Sequence, residues 1–159
     1  MKQKGDNMQY YSYETFKEDI KELVLKIDFN PDGIVAISRG GLTMAHFLGI
    51  ALDLRMVYSI NASSFFNKVQ QEIRISNVPE LNGNQRVLIV DEIVDSGTSM
   101  AKVKNILQEI NSNIDFKTAS IFYKPTATFK PDYFLRETGD WVDFFWEVDI
   151  VKEIRERKL

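Results

Sequence analysis

The stretch Val87-Leu88-Ile89-Val90-Asp91-Glu92-Ile93-Val94-Asp95-Ser96-Gly97-Thr98-Ser99 constrains the fold more than any other part of the chain. Val87 to Val90 are four consecutive apolar residues, three of them β-branched, which is the composition of a strand buried on both faces. Asp91 and Glu92 stand where that strand is expected to end. Asp95 to Ser99 then read as a short polar turn, after which Met100, Val103, Ile106, Leu107 and Ile110 recur at the spacing of a helix packed on a sheet. In open α/β sheets, ligands lie beyond the carboxyl ends of the strands. Small residues that lead backbone N–H groups into a helix form a cradle for phosphate. Two acids beside such a cradle suggest a phosphorylated substrate that arrives with a divalent metal. Strand, acidic turn and helix cap also occur together without any ligand.

The rest of the chain reads as cover for that strand. Residues 1–11 are expected to be a loose lead-in. Ser12 or Thr15 is a candidate cap for a helix whose apolar stripe is Phe16, Ile20, Leu23, Val24 and Ile27, closed by the turn Asn30-Pro31-Asp32-Gly33. Ile34 to Ile37 form a short buried strand that runs into Ser38-Arg39-Gly40-Gly41 and a helical segment from Leu42 to Leu52. This is a second anion-site candidate, since the glycines permit close backbone approach and Arg39 offers a fork of donors. A turn with a solvent-facing arginine is the plainer alternative. His46, in the following helix, reads as structural or surface. Met56 to Ile60 is the next strand, followed over about 61–76 by a polar loop with two aromatics, or by a surface β-hairpin. Phe116 to Tyr123 is a further strand that delivers Lys124-Pro125. The aromatics between Phe129 and Trp146 form either an edge of the core or the wall of a pocket for a flat ligand. Ile154 to Leu159 read as a solvated, charged end.

Composition narrows the function. A chain of 159 residues fits one domain. The net charge of −3 and pI near 5.3 argue against nucleic acid as a partner. With no cysteine and one histidine, thiolate catalysis and zinc sites built from cysteines or several imidazoles are excluded. No apolar run reaches membrane-spanning length and the N-terminus lacks a signal-peptide core, so a cytoplasmic protein is expected.

The stretch from Val87 to Ser99 resembles the signature of the type I phosphoribosyltransferases, which use phosphoribosyl pyrophosphate (PRPP). One departure is Glu92, where that family usually has Asp. The resemblance implies an α/β fold: one domain over residues 12–159, with a mostly parallel central sheet flanked by helices and a small hood, about 124–147, over the base site. It implies PRPP and Mg²⁺, with Asp91 and Glu92 on the ribose hydroxyls and metal, directly or through water. Asp95, Ser96, Gly97, Thr98 and Ser99 would surround the 5′-phosphate. Arg39 and Gly40 would lie in the pyrophosphate loop, where a cis bond is expected at Arg39–Gly40, and the segment 61–76 would be a flexible cover over PRPP.

The hood resembles the 6-oxopurine branch, and the short bacterial xanthine–guanine enzymes above all, through Lys124-Pro125 and Trp141-Val142-Asp143. That likeness places Lys124 on O6, Trp141 in stacking contact with the purine and a carbonyl around Val142 near the exocyclic amine. Asp95 is the expected general base for the N7 proton. The chemistry agrees, because an ammonium donates to an oxo group but meets a donor in adenine. A homo-oligomer, dimer or tetramer, is expected. The alternatives are an enzyme for another base and a PRPP- or nucleotide-sensing regulator of the same fold.

Overall fold

A computed structural model describes residues 8–66 and 71–158. In chain order the elements are β1 (Met8–Tyr11), α1 (Tyr13–Lys26), β2 (Gly33–Ser38), α2 (Gly41–Ala51), β3 (Val57–Phe66), β4 (Gln71–Ser76), β5 (Arg86–Val94), α3 (Thr98–Ile110), β6 (Asp115–Tyr123), β7 (Tyr133–Glu137), β8 (Trp141–Phe144) and α4 (Phe145–Arg157). The main sheet runs β4-β3-β2-β5-β6-β7, parallel throughout except for β4, which pairs antiparallel with β3. Strands β1 and β8 form a separate parallel pair. The expected α/β architecture with a mostly parallel sheet is therefore observed.

Alternation along the central strands explains why both faces must be covered. Ile34, Ala36, Leu88 and Val90 pack with Phe16 and Leu23 of α1 and Met44 and Leu48 of α2. Val35, Ile37, Val87 and Ile89 face the other way, onto Met100, Val103 and Leu107 of α3. Burying one such side chain contributes about 1.5–3 kcal/mol. Ser12 is the cap of α1: its hydroxyl accepts from the Thr15 N–H at 3.2 Å.

Several expectations need correction. Met8 to Tyr11 are a paired strand and not a loose lead-in, while residues 1–7 lie outside the described residues. The central strand does not stop at the acids but continues through Asp91 and Glu92 to Val94, because Ile93 and Val94 still pair with Phe122 and Tyr123. Between 61 and 76 the chain takes the β-hairpin alternative over the polar loop, with Asn61 opposite Ser76 and Ser64 opposite Ile73. Its tip, 67–70 with Asn67 and Lys68, lies outside the described residues. Lys102 of α3 ties this hairpin down by donating to the Ile73 carbonyl at 2.6 Å. The cis peptide precedes Arg39, at Ser38–Arg39, and is not Arg39–Gly40. Among the described residues no helix is long and apolar enough to cross a membrane.

Candidate active site

The loops after β2, β5 and β6 and the strand β8 meet beyond the carboxyl ends of the central strands. The turn after β5 carries the first part of the site. Gly97 has φ +84°, and a Cβ there would lie 2.6 Å from the Phe129 nitrogen, so glycine is required by both conformation and space. Asp91, Asp95, Ser96, Gly97 and Ser99 line one cleft at the start of α3, where unpaired N–H groups and the helix dipole favour an anion. Thr98 is not among the residues lining it; its N–H donates to the Ser96 hydroxyl at 3.3 Å and its own hydroxyl accepts from Ser96 at 3.1 Å. The segment after β6 braces this turn, with Thr128 N–H and hydroxyl both donating to the Ser96 carbonyl, at 2.9 and 3.0 Å.

A second cleft brings together Lys124, Trp141 and Val142 with Asp95 and Glu92. These residues come from widely separated parts of the chain. Lys124 is held at the end of β6 by its N–H bond to the Val94 carbonyl, 3.0 Å, and its ammonium pairs with Asp95 Oδ1 at 2.9 Å. Alternation in β8 buries Val142 and Phe144, leaving Trp141 44 % exposed at the mouth of the cleft. Its indole N–H donates to Asp143 at 3.1 Å.

Arg39 and Gly40 line a third groove with Thr43, Trp146 and Glu147. Asp95 is common to the first two clefts and Glu147 to the last two, so the three form a continuous tract. Glu147 was not singled out from the sequence as a site residue; its only signal was a second Trp-acid pair after Trp141. Burial, and then the Glu92 charge, push its carboxyl above its ordinary value, while Arg39 pulls it down. His46 is exposed on α2 against Phe47 and takes no part in the tract.

The acid pair is electrostatically crowded. Burial first, and the neighbouring Glu92 second, hold the Asp91 carboxyl well above the usual carboxylate range. Glu92 Oε2 is buried without a hydrogen-bond partner, and a Cβ on Gly40 would fall on that carboxylate. A cation at this point would relieve both the crowding and the unpaired oxygen. Among the described residues no group of three or more His, Asp or Glu side chains converges on one point. The donor set therefore fits a cation shared with substrate oxygens and water, the usual manner for a small hard cation.

Comparisons with known proteins agree with this geometry. The phosphoribosyl transferase domain family matches residues 7–153. A xanthine-guanine phosphoribosyltransferase of Cereibacter sphaeroides is 28 % identical over 150 residues, covering 87 % of this chain and 86 % of the relative. Among solved structures, the xanthine-guanine-hypoxanthine phosphoribosyltransferase of Helicobacter pylori superposes with TM-score 0.88 at 42 % identity, covering 94 % of this chain and 99 % of the other. A purine phosphoribosyltransferase from Pyrococcus horikoshii gives TM-score 0.77 at 27 % identity, with 87 % and 93 % covered. The described chain, with a mostly parallel sheet whose acid-bearing central strand opens into an anion cradle, belongs to the phosphoribosyltransferase family.

Proposed function

We propose that the protein transfers the 5-phosphoribosyl group of PRPP to N9 of a 6-oxopurine (guanine, xanthine or hypoxanthine), releasing pyrophosphate and forming the nucleoside monophosphate, a purine-salvage reaction. The observation that carries this reading is the joining of Lys124, Trp141 and Asp95 in one cleft that continues into the anion cradle of α3. The relatives whose names specify xanthine and guanine support the choice of base.

The roles follow from position. Asp95 to Ser99 surround the 5′-phosphate, with Ser96, Gly97 and Ser99 donating from the cleft wall and Thr98 exchanging its bonds to Ser96 for bonds to the phosphate. Asp91 and Glu92 bind the ribose hydroxyls and would hold Mg²⁺, directly or through water. Bound there, the ion would supply positive charge against the departing pyrophosphate. Arg39 and the backbone at Gly40 bind the pyrophosphate, whose charge grows as the bond to C1′ breaks and the ribosyl centre becomes oxocarbenium-like. Trp141 stacks on the purine, a carbonyl near Val142 accepts from the exocyclic amine of guanine, and Lys124 donates to O6. As N9 bonds to C1′, the N7 proton passes to Asp95. The hairpin of β3 and β4 is the cover that excludes water during transfer. A cytoplasmic homo-oligomer is the expected setting.

The test is pyrophosphate release from PRPP and Mg²⁺ with guanine, xanthine, hypoxanthine, adenine and orotate in turn. Release with the three oxopurines alone is expected. Release with orotate or adenine in preference to all three would contradict the proposal.

A further inference from the structure

Trp141 and Val142 stand in β8, whose hydrogen-bonded neighbour is β1 from the opposite end of the chain. Met8 lies opposite Trp141, Gln9 opposite Val142, Tyr10 opposite Asp143 and Tyr11 opposite Phe144. This two-stranded ribbon is not part of the six-stranded sheet. A ribbon of two strands is marginal by itself, so its placement depends on what ties it down.

Val142 and Phe144 seat β8 in the core directly, and the tie for β1 is at Tyr11. Its ring is 1 % exposed and meets Phe16, Phe122, Phe144 and Trp146 edge-on, with centroids 5.1 to 6.4 Å apart. Its hydroxyl donates to Asp19 Oδ2 at 2.6 Å. Arg136 of β7 grips the same carboxylate with two N–H groups, each at 2.8 Å. Asp19 is 3 % exposed and joins three elements, namely the ribbon, α1 and the edge strand of the main sheet. A charge this deeply buried keeps its place only while paired, which makes the junction rigid. Burial, and then Asp19, push the Tyr11 phenol far above its ordinary value, so it remains a donor at every physiological pH. The Tyr10 hydroxyl adds an exposed tether to Asp149 of α4, at 2.9 and 3.1 Å.

We infer that Tyr11 is a positioning residue for base recognition: through Asp19 and Arg136 it fixes β1, and through β1 it fixes Trp141 and Val142 at the base cleft. The inference rests on the proposed function for the identity of the ligand. The Arg39 loop and the turn at Asp95 to Ser99 hang from β2 and β5, inside the six-stranded sheet. Tyr11 also touches Trp146 of the Arg39 groove, but through its ring, so losing the hydroxyl alone should affect the purine far more than PRPP.

Tyr11→Phe removes only the hydroxyl, keeps the ring contacts and leaves Asp19 paired with Arg136. The expected result is a rise in KM for guanine of roughly 3- to 30-fold, the range for a residue acting through packed neighbours, while kcat and KM for PRPP stay within about twofold. Amide hydrogen exchange should quicken at 8–11 and 141–144 and remain unchanged in β2 and β5. An unchanged KM for guanine would overturn the inference. So would faster exchange in β2 and β5 with KM rising for both substrates, since Tyr11 would then support the core in general. A parent that used no purine would instead overturn the proposed function, and the exchange pattern would then decide whether Tyr11 holds the ribbon.

Discussion

The Lys124 ammonium lies 2.9 Å from Asp95 Oδ1, joining the residue that follows β6 to the residue that opens the turn after β5. The lysine side chain is 19 % exposed and the carboxylate 63 %, so the pair has little to contribute to stability and acts by placing two groups side by side. O6 and N7 are neighbours on one edge of a 6-oxopurine. A donor for the first and an acceptor for the N7 proton must be neighbours too.

Asp95→Asn should fold and bind PRPP, yet lose about 10²–10⁴ in turnover, the usual worth of a positioned general base. Steady-state turnover with guanine, alongside PRPP titration, checks this. Unchanged turnover would reject the role, and a loss confined to PRPP affinity would assign Asp95 to shaping the turn.

PRPP binding should require both divalent metal and Arg39. Calorimetry with and without Mg²⁺, on the parent and on Arg39→Ala, gives four titrations. The parent with Mg²⁺ should bind tightest and Arg39→Ala without it weakest. Equal affinity in all four would remove the assignment of this groove to pyrophosphate.

Gly40→Ala probes the acid pair from outside it. The new Cβ would fall on the Glu92 carboxylate and force it aside. Mg²⁺-dependent affinity for PRPP should drop by roughly 10- to 100-fold, as when a metal ligand loses its support. If affinity is retained, Glu92 has no part in binding.

How much of this was legible in the sequence depends on the range over which each feature is specified. The apolar strand, the acids and the small-residue turn lie within Val87 to Ser99, and their order along the chain is their order in space. The ribbon of β1 and β8 is different. Met8 to Tyr11 is four residues long, and its partners stand at 141–144, so nothing local marks it as a strand. The β5 boundary was misplaced because acids normally end a buried strand; Ile93 and Val94 carry the pairing past them. Strand β7 lies in the aromatic stretch between Phe129 and Trp146, directly after Pro131 and Asp132, where no alternation marks a strand. There the Asp132 carboxylate accepts from the Thr118 N–H and hydroxyl, both at 2.8 Å, a contact visible only in the fold. Helix α4 was hidden by the run Phe144-Phe145-Trp146, which obscures helical periodicity, and with it went the site position of Glu147.

Stability should fall on acidification partly through Asp32. Burial alone would raise its carboxyl. The N–H groups of Gln85 and Arg86, the Asn84 amide and the Arg86 charge outweigh burial and hold it below its ordinary value. A carboxyl depressed in the folded state stabilises above its unfolded pKa, about 4, and that contribution disappears as pH falls through the folded value. In urea the parent should outlast Asp32→Ala at pH 7, with the gap between midpoints narrowing below about pH 4. A gap independent of pH would show that the charge of Asp32 is irrelevant.

The most direct measurement of the central claim is kcat/KM for guanine and adenine in the parent and in Lys124→Ala. Removing the lysine also frees Asp95, so both purines should lose some activity through the N7 contact. Guanine alone should lose the charged hydrogen bond to O6, worth about 1.5–3 kcal/mol. The guanine-to-adenine ratio of kcat/KM, high in the parent, should therefore fall by roughly 10- to 150-fold in Lys124→Ala. A ratio that does not change on removing Lys124, or a parent that uses adenine as well as guanine, would contradict a 6-oxopurine site.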